Sequence, residues 1–195
     1  MVIFWANTEL ARNARASLRL SAGGTGSDGD VGEGAISLNV NGDSRECAAP
    51  PTMRLSAALR DILNLTSVKE GCCEGECGAC TILLDGKPVN SCLVMVFQAR
   101  GSEIITVEGL LPETGLNSLQ QAFLDEGAVQ CGYCTPGMVM AAEGLLRINP
   151  NPDEVDIRHA LAGNICRCTG FETIVRAVSV EATARREMEA ADERA

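Results

Sequence analysis

The alternation of apolar and polar residues after position 34 predicts a small β-sheet. Apolar and polar residues alternate over 36–40, and the Asn41-Gly42 pair that follows is typical of a hairpin turn. Apolar residues recur at helical spacing over 55–64, which predicts a short amphipathic helix. Further strands are predicted at 81–84, 89–97 and 104–107. We therefore expect this part of the chain to form a sheet with one helix.

The second half of the chain has apolar residues at helical spacing and no stretch that alternates as a strand does. Helices are predicted at 116–126, 136–148, 153–161 and 171–187. The apolar stripes of these helices are expected to form an ordinary core, which includes Met138, Met140, Leu145 and Leu146. Four short helices predict a bundle, separated from the sheet by the stretch 112–115 with its proline and glycine.

Changes in composition divide the chain into four parts. Residues 21–34 are mostly Gly, Ser and Asp, which bury too little apolar surface to fold and predict a flexible linker. The basic and apolar residues before the linker do not follow the order of a secretory signal, so we expect a cytoplasmic protein. The predicted parts are an extension and linker over 1–34, a sheet-containing domain over 35–110, a helical domain over 111–188 and a tail over 189–195.

The composition limits the chemistry that the chain can perform. Only 3% of its 195 residues are aromatic, so we expect a thin core that needs cross-links, for which the ten cysteines are candidates. A formal net charge of −10 makes nucleic acid an unfavourable partner. The apolar run 93–97 is far shorter than the ~20 residues of a membrane-spanning helix, so no span is predicted. A single histidine, His159, excludes metal sites built from several imidazoles.

Four cysteines have the spacing of a plant-type 2Fe-2S site. The run C-x4-C-x2-C, closed by a more distant fourth cysteine, is formed by Cys72, Cys77, Cys80 and Cys92. Glycines between them let the chain turn tightly, so that backbone N–H groups can point at negatively charged sulfur. A pair of disulfides would not need such a loop. The spacing therefore favours an iron–sulfur cluster.

A second set of four cysteines lies in the helical half. A C-x2-C pair and a later C-x-C pair are formed by Cys131, Cys134, Cys166 and Cys168. Thr-Pro follows Cys134 and Thr-Gly follows Cys168, and both pairs are typical of helix N-termini. Free N–H donors and the helix dipole stabilise thiolates at such positions. Two helix ends that meet would therefore build a four-thiolate site.

Two other uses of the cysteines compete with iron–sulfur binding. Disulfides suit the even count but are uncommon in cytosolic proteins. Structural zinc sites are also built from paired cysteines, and the spacing of the second set leaves zinc open. Cys47 and Cys73 belong to neither set, and we expect both to be inert thiols.

Three segments, read in order along the chain, resemble the small iron–sulfur subunit of the molybdenum hydroxylases, the xanthine dehydrogenase and aldehyde oxidase family that includes carbon monoxide dehydrogenase. The segments are EGCCEGECGACTILLDGKPVNSC, QCGYCTPGM and NICRCTGF. The resemblance extends from about residue 36 to residue 182 and does not include 1–34. One departure is Cys73, which occupies a position where the family generally has glycine.

The resemblance implies an α+β protein with a β-grasp, ferredoxin-like domain followed by a four-helix-bundle domain, each holding one 2Fe-2S cluster. The implied ligands of the first cluster are Cys72, Cys77, Cys80 and Cys92. Those of the second are Cys131, Cys134, Cys166 and Cys168. Because only Cys72 keeps the family spacing to Cys77, we expect Cys73 not to be a ligand.

The resemblance also implies partner subunits. A large subunit would carry the molybdopterin and the substrate site, with Gln130 and Cys168 of this chain contacting the pterin, and a medium subunit would carry FAD. This chain would have no catalytic residue of its own. It would pass electrons from the molybdopterin through the helical-domain cluster and then the ferredoxin-like cluster to FAD or another acceptor. The alternatives are a free-standing two-cluster ferredoxin and a zinc-stapled scaffold.

Overall fold

The structure, a computed structural model, describes residues 35–192 and Arg194. The predicted extension and linker over 1–34 lie outside the described residues, as do Glu193 and Ala195 of the predicted tail. Among the described residues, no helix has the length and apolar character needed to cross a membrane.

Five strands form one mixed sheet. They are β1 (Ile36–Val40), β2 (Asp43–Cys47), β3 (Thr81–Leu84), β4 (Lys87–Asn90) and β5 (Glu103–Ile105). Their order is β2-β1-β5-β3-β4, with β1 parallel to β5 and every other neighbouring pair antiparallel. Residues of β1 are alternately buried and exposed, as its sequence predicts. The β1–β2 hairpin turns at Asn41-Gly42, where both residues have positive φ.

The helix predicted at 55–64 presents the expected apolar face but is not a single α-helix. The helix α1 spans Leu55–Ala57, and the chain continues as a π-helix over Ala58–Ile62. In this wider turn the N–H of Leu63 donates to the carbonyl oxygen of Ala58, five residues earlier, at 3.0 Å. The apolar residues at 55, 58 and 59 are buried in one core with those of β1.

The strand predicted at 89–97 is wrong beyond Asn90. The next residues, Ser91–Leu93, form a 3-10 turn instead. Met95 then forms an isolated β-bridge with Arg54, just before α1. Because the backbone groups of this stretch find partners outside the sheet, the chain leaves the sheet at the end of β4.

Four helices follow at the predicted positions. They are α2 (Ser118–Asp125), α3 (Thr135–Ile148), α4 (Glu154–Ala160) and α5 (Glu172–Asp192). Side chains of Asn117 and Asp153 cap α2 and α4 by accepting hydrogen bonds from backbone N–H groups of the first turn. The predicted stripe on α3 is buried at Met138, Met140 and Leu146. A mixed sheet followed by helices, the coarse architecture expected from the sequence, is therefore confirmed.

The helix α3 packs against the sheet as well as against the other helices. The strand β3 is buried on both faces, with Ile82 in the core shared with α1 and Leu83 towards α3. A Cβ atom on Gly144 of α3 would lie 3.0 Å from Pro88 Cδ and 3.2 Å from Leu83 Cδ2. The glycine therefore lets α3 approach the β3–β4 hairpin closely, which fixes the N-terminus of α3 beside the cysteine loop that precedes β3.

Candidate metal centres

The first set of cysteines is brought together by the loop before β3 and the turn after β4. Cys72 and Cys77 lie in the loop, Cys80 ends it, and Cys92 lies in the turn. Ser91 holds these two segments together, because its N–H and its hydroxyl both donate to the carbonyl oxygen of Cys80, at 3.3 and 2.7 Å. Cys80 and Cys92 are buried, whereas the other two are partly exposed.

Backbone N–H groups of the loop point at the sulfur of Cys72. Those of Glu74, Glu76 and Cys77 lie 3.5, 3.3 and 3.3 Å from its Sγ. The hydrogen bonds from Glu74 and Cys77 are the main reason that the pKa of Cys72 is lowered to about 7, since they stabilise the thiolate. The loop is therefore built to hold a negatively charged sulfur, which is the form that binds iron.

The loop also requires a glycine at position 71. A Cβ atom on Gly71 would lie 2.9 Å from the Sγ of Cys77. The N–H of Cys72 donates to that same sulfur at 3.4 Å. A side chain at position 71 would push the sulfur away from this donor, so the tight turn expected from the glycine-rich sequence serves the thiolate directly.

Hydrogen bonds and burial act on different thiols of the first set. Cys72 and Cys77 are joined by hydrogen bonds between their backbone and sulfur atoms. Cys92 is buried, and burial, followed by the neighbouring thiol of Cys80, raises the pKa of Cys92 to about 12. A thiol with that pKa is protonated at neutral pH, so metal binding there would release a proton.

The second set lies at the N-terminus of α3 and in the loop between α4 and α5. Cys134 is the N-cap residue of α3, with a proline in the first turn as expected. Cys166 and Cys168 lie in the loop and not at a helix start, since α5 begins only at Glu172. Thr169, which the sequence suggested as a cap, instead places its N–H and hydroxyl oxygen 3.5 and 3.1 Å from the Sγ of Cys166.

Burial and nearby groups also shift the pKa values of the second set. Burial, followed by the neighbouring thiol of Cys166, raises the pKa of Cys134 to about 12. Burial works in the same direction on Cys166, but the hydrogen bonds from Thr169 outweigh it and lower the pKa of that thiol. The neighbouring thiol of Cys131 is the main cause that raises the pKa of Cys168.

The donors to sulfur fit iron–sulfur clusters. Within the described residues, no group of three or more His, Cys, Asp or Glu side chains is placed to hold a single metal ion. A 2Fe-2S cluster takes four thiolates, and hydrogen bonds to sulfur stabilise the thiolate form. Each set supplies four cysteines and has hydrogen-bond donors on one of its sulfurs, Cys72 in the first set and Cys166 in the second, so both sets fit such a cluster.

The two cysteine loops are in direct contact. The N–H of Ile165, the residue before Cys166, donates to the carbonyl oxygen of Cys77 at 2.9 Å. The hydroxyl of Tyr133, between the first two cysteines of the second set, donates to the carbonyl oxygen of Glu70 at 2.6 Å. These contacts between loops distant in sequence have no signal in the periodicity or spacing of the chain.

The remaining predicted site residue, Gln130, is exposed. It precedes Cys131, and both Cys131 and Cys168 are exposed as well. Gln130 and Cys168, the two residues expected to contact the pterin, therefore both lie at the molecular surface. A group on another chain can reach this surface.

The two remaining cysteines, Cys47 and Cys73, belong to neither set. Cys47 is buried in β2, and burial raises its pKa. Cys73 has a left-handed backbone, with φ of 57°, at the position where the sequence departs from the family glycine. Burial, followed by the charge of Glu70, raises the pKa of Cys73. None of the ten cysteines forms a disulfide.

Comparison with known proteins assigns both halves of the chain. Residues 38–103 match the family of 2Fe-2S iron-sulfur cluster binding domains, and residues 106–179 match a second family of 2Fe-2S binding domains. Quinoline 2-oxidoreductase from Pseudomonas putida 86 contains a chain of similar structure, with a TM-score of 0.75 and 46% identity over 78% of this chain and 96% of that one.

Two curated relatives are similar over most of their length. The small FeS subunit of nicotinate dehydrogenase from Eubacterium barkeri is 52% identical over 143 residues, which are 73% of this chain and 91% of the relative. The iron-sulfur-binding subunit of xanthine dehydrogenase from Escherichia coli O157:H7 is 47% identical over 145 residues, again 73% and 91%. The resemblance is thereby confirmed: the chain carries two 2Fe-2S binding domains and belongs to the family of small iron–sulfur subunits of multi-subunit molybdenum hydroxylases.

Proposed function

We propose that the eight cysteines of the two sets hold two 2Fe-2S clusters and that the chain passes electrons within a molybdenum hydroxylase. The hydrogen-bond donors aimed at the sulfurs of Cys72 and Cys166 carry the proposal, because they stabilise thiolates in two regions that match 2Fe-2S binding domains. When bound, the clusters supply one-electron redox chemistry. The chain itself ligates, orients and shields them, and its N–H donors tune their reduction potentials.

The ligands that we propose follow the two sets. The first cluster takes Cys72, Cys77, Cys80 and Cys92, and the second takes Cys131, Cys134, Cys166 and Cys168. We propose that the sheet with α1 is a β-grasp domain over 35–110 and that α2 to α5 form a four-helix bundle over 111–188. The ranges of the two family matches, 38–103 and 106–179, support this division.

The partner subunits follow from the same proposal. A large subunit carries the molybdopterin and the substrate site, and its pterin contacts Gln130 and Cys168. The exposure of both residues beside the second set supports this contact. A medium subunit carries FAD and takes electrons from the first cluster, unless another acceptor replaces it. We place the complex in the cytoplasm, where thiols remain available to iron.

The alternative is a free-standing carrier with two clusters. An apolar groove of about 260 Å³ beside the second set favours a subunit instead. Leu116 and Leu124 line the groove and are 44% and 50% exposed, and Gly132 and Thr135, which flank Cys134, lie in its wall. A surface that exposes large apolar residues next to a redox centre suits burial against a partner.

Purification of the tagged chain from its native host tests the proposal. We expect a larger subunit and molybdenum, measured by mass spectrometry of the metal, to copurify with the chain. Replacing the exposed Gln130 with alanine is expected to slow reduction of the second cluster by substrate, whereas Gln121→Ala on the exposed face of α2 leaves it unchanged. A monomer that carries both clusters and binds no larger subunit would support the free carrier.

A further inference from the structure

A buried amide joins the two cysteine loops. Asn164 lies two residues before Cys166 and is only 5% exposed. Its Nδ2 donates to the carbonyl oxygen of Gly78, at 2.9 Å, and to the hydroxyl oxygen of Thr81, at 3.3 Å. Both acceptors belong to the segment that carries Cys77 and Cys80. The amide group of this one residue in the second loop therefore donates two hydrogen bonds to the first loop.

The backbone is packed so closely around this amide that few other side chains would fit. A Cβ atom on Gly137, in the first turn of α3, would lie 2.2 Å from the carbonyl oxygen of Gly78 and 3.1 Å from Nδ2 of Asn164. A Cβ atom on Gly78 would lie 2.3 Å from the carbonyl oxygen of Gly163. Three glycines thus enclose the contact, and the amide fills the space that they leave.

The hydrogen bonds of the amide continue through the first loop. The hydroxyl of Thr81 lies 2.7 Å from the carbonyl oxygen of Gly78 and 3.3 Å from Oδ1 of Asn90. Asn90 in turn donates to the carbonyl oxygen of Gly75, at 2.8 Å. Asn164 is therefore part of a hydrogen-bond network that supports the first loop. Of the residues named in this network, Asn164 is the one that belongs to the second domain.

We propose that Asn164 is a positioning residue for electron transfer between the two clusters. Its carboxamide holds the loop of Cys77 and Cys80 at a fixed place against the loop of Cys166, which would fix the separation of clusters bound to the two loops. One electron would pass from the second cluster, which would be oxidised, to the first, which would be reduced, with no transfer of a proton or other group. The inference rests on the proposed function and adds a residue that binds neither cluster.

The test is Asn164→Leu in the full chain, copurified with its partner subunits. Leucine has a similar size but no donor, so the two loops lose their shared amide. We expect about four irons per chain to be retained. The magnetic splitting between the two reduced clusters, measured by EPR, should weaken. Transfer between the clusters, followed by rapid freeze-quench EPR after a reducing pulse, should slow severalfold, because the rate of electron tunnelling falls steeply as the separation of the clusters grows.

The matched control is Asn90→Leu, which removes the contacts of that amide with Gly75 and Thr81 inside the first loop and leaves both hydrogen-bond partners of Asn164 in place. It should leave the splitting and the transfer rate as in the unsubstituted protein. Asn164→Ser, which keeps one donor in a smaller side chain, provides a second variant and should give an intermediate splitting.

Three results would overturn the inference. The first is an unchanged splitting and rate in Asn164→Leu with both clusters present. The second is an equal effect of Asn90→Leu, since the loop and not the junction would then be responsible. The third is loss of the clusters in both Asn164 variants, which would make the residue purely structural. If instead the unsubstituted protein binds no 2Fe-2S cluster, the proposed function itself fails.

Discussion

A buried group of charges in the helical half gives the sharpest prediction about stability. Arg185 of α5 lies 2.8 Å from the carboxylate of Glu143 on α3 and 2.7 Å from that of Glu181 on its own helix. The two carboxylates are only 9% and 2% exposed, and the arginine is 30% exposed. The hydroxyl of Ser118 also donates to Glu181, so this group joins α2, α3 and α5.

We predict that Arg185→Met destabilises the protein by about 3 kcal/mol at neutral pH, because it leaves two buried carboxylates without their shared partner. The figure lies at the low end of the usual range since Glu143 keeps its hydrogen bond to Arg147, at 2.8 Å. Thermal unfolding followed by circular dichroism should show a midpoint roughly 6–12 °C lower.

The matched control is Arg158→Met. Arg158 also binds two carboxylates, those of Glu154 and Glu172, at 2.8 Å each, but these are 67% and 75% exposed. Its loss should lower the midpoint of thermal unfolding much less than Arg185→Met does, because solvent screens such pairs. Equal midpoints for the two variants would refute the reasoning, since burial would then add nothing to the cost.

The effect of Arg185→Met should depend on pH. Burial works to raise the pKa of Glu143, but the hydrogen bonds from Arg147 and Arg185 outweigh it and lower the pKa. A carboxylate with a lowered folded-state pKa stabilises the protein above its unfolded pKa of about 4.3, and this stabilisation is lost as the pH falls through the folded value. The difference between the variant and the unsubstituted protein should therefore shrink below about pH 4.3.

Three further predictions concern the cysteine loops. Cys73→Gly should stabilise the chain by roughly 0.5–1 kcal/mol in thermal unfolding, because glycine adopts the positive φ of 57° without steric strain. Cys73→Ala should not stabilise the chain, and the iron content should stay unchanged in both variants. Gly137→Ala should cost about 1–3 kcal/mol by overpacking against Gly78, while Gly163→Ala, whose Cβ meets nothing within 4 Å, should cost less than 1 kcal/mol. Cys134→Ser should remove the EPR signal of one cluster and leave the other; loss of both signals would argue against independent sites.

Patterns in the local sequence predict the helices and the first cysteine loop, because local interactions determine both. The apolar spacing places α2 to α5 within a few residues of their observed bounds, since each helix buries a stripe that its own sequence defines. The glycine-rich spacing likewise identifies the first cysteine loop, because tight turns and N–H donors are local properties.

The features that the sequence patterns do not predict depend on contacts between residues distant in the sequence or between side chains and backbone. The apolar run after β4 predicts a continued strand, but the backbone of Met95 pairs with Arg54 and the chain turns away. Thr169 resembles a helix cap and instead contacts Cys166. The amide of Asn164 donates a hydrogen bond to a carbonyl group 86 residues away, and no periodic pattern in the sequence predicts this contact.

The proposed function depends on one 2Fe-2S cluster in each of the two binding domains. The most direct test is the iron and acid-labile sulfide content of anaerobically purified protein, with EPR of the same sample after reduction by dithionite. The account predicts about four irons and four sulfides per chain and two distinct S = 1/2 signals. Zinc without sulfide and without an EPR signal would contradict it.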